Sequence, residues 1–163
     1  MDPLYIRLVR ELDNNGLKDC NHGLLHGLTG ITIFYYHLAK VTGIPDYEER
    51  ADDLIGKVFS DLSLSVPADF ENGLAGIGWG IEYLVRKGFA EGNTDEILEE
   101  ADNKIFRILN EETLNSFDLT NGLTGYLIYL IYRLKNNKDL NSDAFKINCE
   151  SSLKTQLFKS LHR

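Results

Sequence analysis

The chain has 163 residues, of which 43% are hydrophobic and 26% are charged, as in an ordinary globular domain. Its formal net charge of -8 disfavours contact with phosphate backbones and anionic membrane surfaces, and no Lys/Arg cluster offsets this charge. We therefore expect no nucleic-acid partner and no membrane partner.

The cellular location is predicted from the amino-terminal segment, the apolar runs and the cysteines. Residues 1–13 include several charged side chains and lack the apolar core of a signal peptide. The longest apolar run, residues 123–132, is about half as long as a membrane-spanning helix. Two cysteines, Cys20 and Cys149, are too few for a disulfide scaffold. Together these features predict a cytoplasmic protein with free thiols.

Apolar periodicity along the chain predicts helices of two kinds and no strand. Outer helices, each with a single apolar stripe, are predicted near residues 3–13, 46–64, 94–112 and 143–161. Inner helices, apolar on nearly every face, are predicted near residues 27–41, 73–87 and 122–135. The chain is therefore predicted to be one all-α domain, residues 1–163, with about seven helices.

Each predicted inner helix begins with a pair of glycines separated by two residues. The pairs are Gly27 and Gly30, Gly73 and Gly76, and Gly122 and Gly125, at intervals of about fifty residues. Positions after the second glycine also correspond, except that Arg133 occupies the position of Leu38 and Leu84. A repeat of this length indicates stacked helix pairs. Inner helices screened by outer ones predict an α/α toroid, that is, a double-layered helical barrel.

Two explanations of the paired glycines stay open. Glycines one helical turn apart remove side chains from one edge of the helix start, which permits close backbone packing. Alternatively, the helix starts direct their free N–H groups into a central cavity. Because each helical glycine costs about 1 kcal/mol relative to alanine, some such demand must exist at all three helix starts.

The segments that carry these glycines, residues 23–31, 70–80 and 119–125, resemble the Gly-x-x-Gly helix starts of lanthionine synthetase C-like proteins. The resemblance covers residues 23–134 and implies a toroid with about seven inner helices, of which three occur here. We therefore expect an incomplete toroid: a fragment, a truncated relative, or a piece completed by another copy. Apolar surface at its open edge predicts a homo-oligomer.

The resemblance also implies a chemistry. In that family, zinc activates a peptide cysteine for addition to a dehydrated Ser or Thr, which closes a thioether ring. The family's ligands come from later repeats and include a cysteine directly before a histidine, a pair absent from this sequence. We therefore expect no metal site in this chain, and zinc only if carboxyl-terminal repeats exist. His26 precedes a Gly-x-x-Gly, as the family's candidate acid or base does, and is the catalytic candidate.

Other side chains near the helix starts are candidates for binding or packing. Those predicted to line the cavity are His22, Asn72, Trp79 and Asn121. His37 and the inner-helix aromatics Trp79, Tyr83, Tyr129 and Tyr132 are interpreted first as core residues. Glu82 lies on an otherwise apolar helix, so it is predicted to have a local polar partner.

Three functions are consistent with the sequence. The first is a lanthionine cyclase-like protein of lanthipeptide biosynthesis, active only with sequence beyond Arg163, so whether this chain is an enzyme stays open. The second is a helical-repeat module that binds a peptide or partner protein at the glycine-lined end without catalysis. The third is a carbohydrate-active α/α barrel, whose paired carboxylates would come from Asp69, Glu71 and Asp118.

Overall fold

A computed structural model describes residues 3–12, 17, 20–61, 65–111, 114, 116–135 and 142–161. Within these residues there are eight helices and no strand: α1 Pro3–Glu11, α2 Leu28–Thr42, α3 Pro45–Asp61, α4 Leu74–Arg86, α5 Thr94–Ile97, α6 Glu99–Glu111, α7 Leu123–Leu134 and α8 Ser142–Leu161. None of these helices has the length and apolar character that crossing a membrane requires.

The helices form two layers. Helices α2, α4 and α7 make the inner layer, with α4 packed between the other two. In the outer layer, α3 packs along α2, α6 packs against α4 and α8, and α8 packs against α6 and α7. This arrangement confirms the predicted all-α fold of repeated inner and outer helices.

The predicted outer helix near 94–112 is wrong as a single element, because the chain bends at Leu98 and forms α5 and α6 separately. Leu98 is 1% exposed and packs with α2 and α3 in one apolar cluster, whereas Ile105 and Leu109 of α6 pack in another. This bend makes eight helices instead of seven, and the predicted helix residues 13, 62–64 and 112 lie outside the described residues.

Helix α4 joins the two apolar clusters. Its Ile77 and Leu84 are fully buried in the cluster formed with α2 and α3, and its Ala75 is fully buried in the cluster formed with α6 and α7. Two glycines of α4 allow this close approach on both sides. A Cβ on Gly78 would lie 2.7 Å from the ring of Tyr129 in α7, and one on Gly80 would overlap Thr29 of α2.

Candidate functional site

The three glycine-marked loops fold in the same way before each inner helix. In each loop, the first helical N–H donates to a carbonyl seven residues earlier: Leu28 to Asn21 at 2.8 Å, Leu74 to Pro67 at 2.8 Å, and Leu123 to Ser116 at 2.9 Å. These N–H groups are therefore satisfied within their own loops. The alternative in which helix starts direct free N–H groups into a cavity does not hold for this first N–H of each inner helix.

The motif glycines are required by this loop geometry. A Cβ on any of the six would approach loop backbone more closely than real Cβ atoms do. At the second glycine of each pair the obstacle is the carbonyl group three residues before the first glycine, which belongs to Leu24, Phe70 or Leu119. Tight packing therefore explains the repeated Gly-x-x-Gly.

Neighbouring loops are joined by a set of backbone hydrogen bonds that we call the loop ladder. The N–H groups of Leu24 and Leu25 donate to the carbonyl of Glu71, at 3.0 and 3.1 Å. The N–H groups of Phe70 and Glu71 donate to the carbonyl of Thr120, at 2.9 and 3.2 Å. Corresponding atoms thus connect the first loop to the second and the second to the third.

An apolar groove of about 770 Å³, which we call the loop groove, lies where the three loops meet the inner helices. All three repeats contribute residues from the same two positions. Three residues before the first glycine stand Leu24, Phe70 and Leu119, and three residues after the second glycine stand Ile33, Trp79 and Ile128. The groove is therefore a product of the repeat and not of one loop.

A polar group stands at the edge of the loop groove. His26 is among the residues that line it, and its side chain is 72% exposed. Its Nε2 lies 3.4 Å from Oε1 of Glu71 in the next loop, and its backbone carbonyl accepts a hydrogen bond from the Cys20 thiol at 3.4 Å. The imidazole can therefore exchange a proton or a hydrogen bond with a molecule in the groove while Glu71 orients it.

The predicted site residues separate into two groups. Trp79 and His26 line the loop groove. Asn72 and Asn121 instead lie within the loops, where their N–H groups donate to Asp69 at 2.8 Å and to Asp118 at 2.7 Å.

His22 and the three acidic candidates also have structural contacts. The carbonyl of His22 accepts a hydrogen bond from the Thr29 hydroxyl at 2.5 Å. Asp69 and Asp118 brace their own loops, and Glu71 is the partner of His26. The carboxylates proposed for sugar chemistry are thus occupied by loop contacts.

The sequence was compared with models of protein families. A model described as lanthionine synthetase C-like protein matches residues 19–159, which is most of the chain. The chain belongs to the lanthionine synthetase C-like family. Membership identifies the two helical layers as part of an α/α toroid. Neither a curated protein nor a solved structure matches the chain significantly.

The zinc site of the lanthionine synthetase C-like family has no counterpart in the part of the chain that the structure describes. There, no three His, Cys, Asp or Glu side chains lie together as ligands of a metal would. The Cys20 thiol contacts a backbone carbonyl, and Cys149 is buried on α8, where burial raises the pKa of its thiol to about 12. These residues do not fit a zinc ion, which needs thiolate or imidazole ligands in a tetrahedral set.

A row of aromatic side chains connects the three inner helices. His37 of α2 and the hydroxyl of Tyr83 in α4 are 2.6 Å apart. The ring of Trp79 in α4 stacks on the ring of Tyr83 with a centroid distance of 5.3 Å. The ring of Tyr132 in α7 also packs on Trp79, with a centroid distance of 5.0 Å. The row therefore links all three inner helices, and Trp79 belongs both to it and to the groove.

Sequence reasoning did not identify the partner of Glu82. The carboxylate accepts from Nη1 of Arg133 at 2.9 Å, and the two residues are 0% and 3% exposed. Nη2 of Arg133 also donates to Asp102 at 2.8 Å and to Asp95 at 3.0 Å. We call this set the Arg133 network. Arg133 stands out in the sequence, because arginine replaces leucine at a corresponding position of the repeat, but this replacement does not show which residue it contacts.

The Arg133 network connects α7 to α4, α5 and α6. Burial alone would lower the pKa of Arg133, but its bond to Asp102 raises the pKa, so the guanidinium stays charged. Burial raises the pKa of Asp102 despite this partner, and burial also raises that of Tyr129, whose hydroxyl donates to Asp102. The groups are bonded to one another across four helices, so the network holds these helices together.

Proposed function

We propose that this part of the chain binds a peptide in the loop groove, as a helical-repeat module of the lanthionine synthetase C-like family. The observation that supports the proposal is the apolar groove built from two corresponding positions of all three repeats. Its volume of about 770 Å³ lies within the range of ligand-binding clefts.

A peptide is the ligand class that suits both the groove and the family. The family resemblance implies a peptide substrate that carries cysteine and dehydrated Ser or Thr. Leucine, isoleucine and aromatic side chains in the groove favour the apolar side chains of such a peptide, because their contact removes apolar surface from water. His26 and Glu71 at the edge offer a proton donor and an acceptor to peptide backbone groups.

Thioether ring formation is the second candidate function, and family membership supports it. It would require zinc ligands from outside the described residues. Elemental analysis of the purified chain separates the two candidates. Zinc at one ion per chain would favour the cyclase, whereas peptide binding by zinc-free protein would favour the module.

Peptide binding can be measured through Trp79, which is the single tryptophan of the chain and lines the groove. We expect a short synthetic peptide with Leu, Phe, Cys and Ser, and without Trp or Tyr, to shift the emission of Trp79 to shorter wavelength. A matched peptide with Leu and Phe replaced by Ser should bind at least about tenfold more weakly, which corresponds to about 1.4 kcal/mol.

Two variants of α2 test the location of binding. Ile33 lines the groove, whereas Val41 is 84% exposed near the other end of the same helix. Ile33→Asn should weaken peptide binding about tenfold or more, and Val41→Asn should leave it unchanged. Circular dichroism confirms that both variants stay helical. Equal affinity of wild type and Ile33→Asn, or no response to either peptide, would contradict the proposal.

A further inference from the structure

A second cavity, which we call the outer pocket, is lined by residues of α5, α6 and α8. Its volume is about 500 Å³, within the range of ligand-binding clefts. Arg133 contributes to it from the last turn of α7, whereas the loop groove lies where the inner helices begin. The two cavities have no lining residue in common, so the outer pocket is a separate candidate site.

The outer pocket has an excess of negative charge. The charged side chains that line it are four carboxylates and one guanidinium: Asp95, Glu96, Glu99, Asp102 and Arg133. Arg133 already shares its single positive charge among Asp95, Asp102 and the buried Glu82. Glu99 is exposed, and no described residue forms an ion pair with it. A concave surface lined in this way attracts cations.

The carboxyl of Asp102 shows that this negative charge is incompletely compensated. Burial raises its pKa despite the bond to Arg133, and the nearby charge of Asp95 raises it further. An additional cation in the pocket would oppose both effects, because a neighbouring positive charge favours the ionised carboxylate. The titration of Asp102 therefore agrees with the charge of the lining.

The guanidinium of Arg133 also has an unused donor. Its Nη1 and Nη2 atoms donate to Glu82, Asp95 and Asp102, but its buried Nε has no hydrogen-bond partner among the described residues. Arg133 is 3% exposed and lines the pocket. Buried polar groups are nearly always hydrogen-bonded, so an unpaired donor at a cavity indicates a missing acceptor.

Two phenyl rings give the pocket an apolar wall. Phe106 of α6 and Phe145 of α8 meet edge to face with a centroid distance of 5.2 Å, and both line the pocket. Aliphatic stems and organic cations pack on such rings. Among the described residues, no three His, Cys, Asp or Glu side chains are placed to hold a metal ion. The lining therefore favours an organic cation over a metal ion.

We propose that the outer pocket binds an arginine or lysine side chain of a peptide. The cation lies among the carboxylates of Asp95, Glu96 and Glu99, and its aliphatic stem packs on the two phenyl rings. A backbone carbonyl beside the bound side chain accepts the hydrogen bond from Nε of Arg133. A free amine would bring the charge without the acceptor, so a basic peptide residue accounts for more of the observations.

Three ligands test this chemistry in titrations of the full chain followed by NMR. They are N-acetyl-arginine amide, its uncharged isostere N-acetyl-citrulline amide, and a free four-carbon diamine. The arginine derivative should bind with a dissociation constant of about 1 mM, as expected for a ligand of this size. The citrulline derivative should bind at least about tenfold more weakly because it lacks the charge. The diamine should also bind more weakly than the arginine derivative, because it lacks a carbonyl. The emission of Trp79 should not change, because Trp79 lines the loop groove and not the outer pocket.

Two pairs of variants test the location of binding. Glu99 and Glu100 are adjacent exposed carboxylates of α6, and only Glu99 lines the outer pocket. Glu99→Gln should weaken binding of the arginine derivative about threefold, as the loss of one exposed ion pair does, and Glu100→Gln should leave it unchanged. Asn148→Lys places a positive charge in the pocket from α8 and should weaken binding at least about tenfold. Ser151→Lys, on the same helix but outside the lining, is its control.

The outcomes that would overturn the proposal are distinct from those that concern the loop groove. Equal binding of the arginine and citrulline derivatives would show that the pocket does not select a cation. Tighter binding of the diamine would assign the pocket to a free amine and not to a peptide. Equal effects within either pair of variants would place the ligand elsewhere, and each of these results would overturn the proposal.

Discussion

The second and third repeats begin with the same motif but have different surroundings. Helix α4 lies between α2 and α7, and its Glu82 is fully buried. Helix α7 has an inner neighbour on one side only within the described residues, and the corresponding Ile131 is half exposed. Burial at a repeat position is therefore decided by the neighbouring repeat as much as by the residue itself.

The comparison also shows two ways of attaching an inner helix. Two repeat positions differ between the two inner-helix interfaces. Between α2 and α4 these positions are occupied by Tyr36 and Leu84. Between α4 and α7 they are occupied by Glu82 and Arg133. At these repeat positions the second interface therefore has a buried charge pair, whereas the first has a tyrosine and a leucine. Because Arg133 also contacts α5 and α6, this pair fixes the third inner helix to both layers.

The largest expected effect comes from removing this charge. Arg133→Leu restores the residue type of the first two repeats but leaves Glu82 and Asp102 buried without the guanidinium. We expect the free energy of unfolding to fall by about 3–5 kcal/mol, because buried carboxylates then lack their compensating charge. Urea denaturation followed by circular dichroism measures the loss.

The double variant Glu82→Leu, Arg133→Leu is the control for this interpretation. It removes both members of the most buried pair, so it should recover part of the stability lost in Arg133→Leu alone. A double variant no more stable than Arg133→Leu alone, or an Arg133→Leu variant as stable as wild type, would show that the network does not hold the third repeat.

A smaller effect is expected from the motif glycines. Gly76→Ala would drive a Cβ against the Phe70 carbonyl and should lower stability by about 1–3 kcal/mol, as overpacking does. Gly125→Ala should do the same in the third repeat, where the Cβ meets the Leu119 carbonyl and Phe70.

Gly56→Ala is the matched control, because Gly56 lies on the exposed side of α3 with nothing within 4 Å of a Cβ. It should raise stability by about 1 kcal/mol, since alanine is the better helix former. Thermal or urea unfolding compares the three variants. Equal effects at Gly56 and Gly76 would show that helix propensity, and not loop packing, explains the motif.

Much of the fold follows from sequence periodicity, but the pairing between repeats does not. The glycine pairs predict where the inner helices begin, and the need of Glu82 for a partner follows from its apolar helix. Arg133 could not be identified as that partner, because the two residues are 51 apart and are opposed only after the repeats stack. The break at Leu98 was likewise not predicted from the sequence.

The groove could be predicted only in part for the same reason. Trp79 lies on an inner helix, so its place at the groove follows from helical spacing. Phe70 and Leu119 reach the groove only through the path of their loops, which is set by hydrogen bonds between repeats. Asn72 and Asn121 share the same loops, yet their N–H groups donate to loop carboxylates instead.

The smallest expected effect is a dependence of stability on pH that arises from the third loop. Hydrogen bonds from the Ser116 hydroxyl, the Asn121 N–H and the Thr120 hydroxyl lower the pKa of Asp118 from 3.8 to about 2. A carboxyl with a lowered folded pKa contributes stability above its ordinary pKa, and this contribution is lost as the pH falls towards the folded value.

Asp118→Asn should therefore lower the melting temperature at neutral pH. The decrease should be slight, because the carboxylate is exposed and solvent screens its charge. The difference from wild type should shrink as the pH falls from 3.8 to about 2. A difference that stays constant over this range would show that Asp118 braces the third loop through its shape and not through its charge.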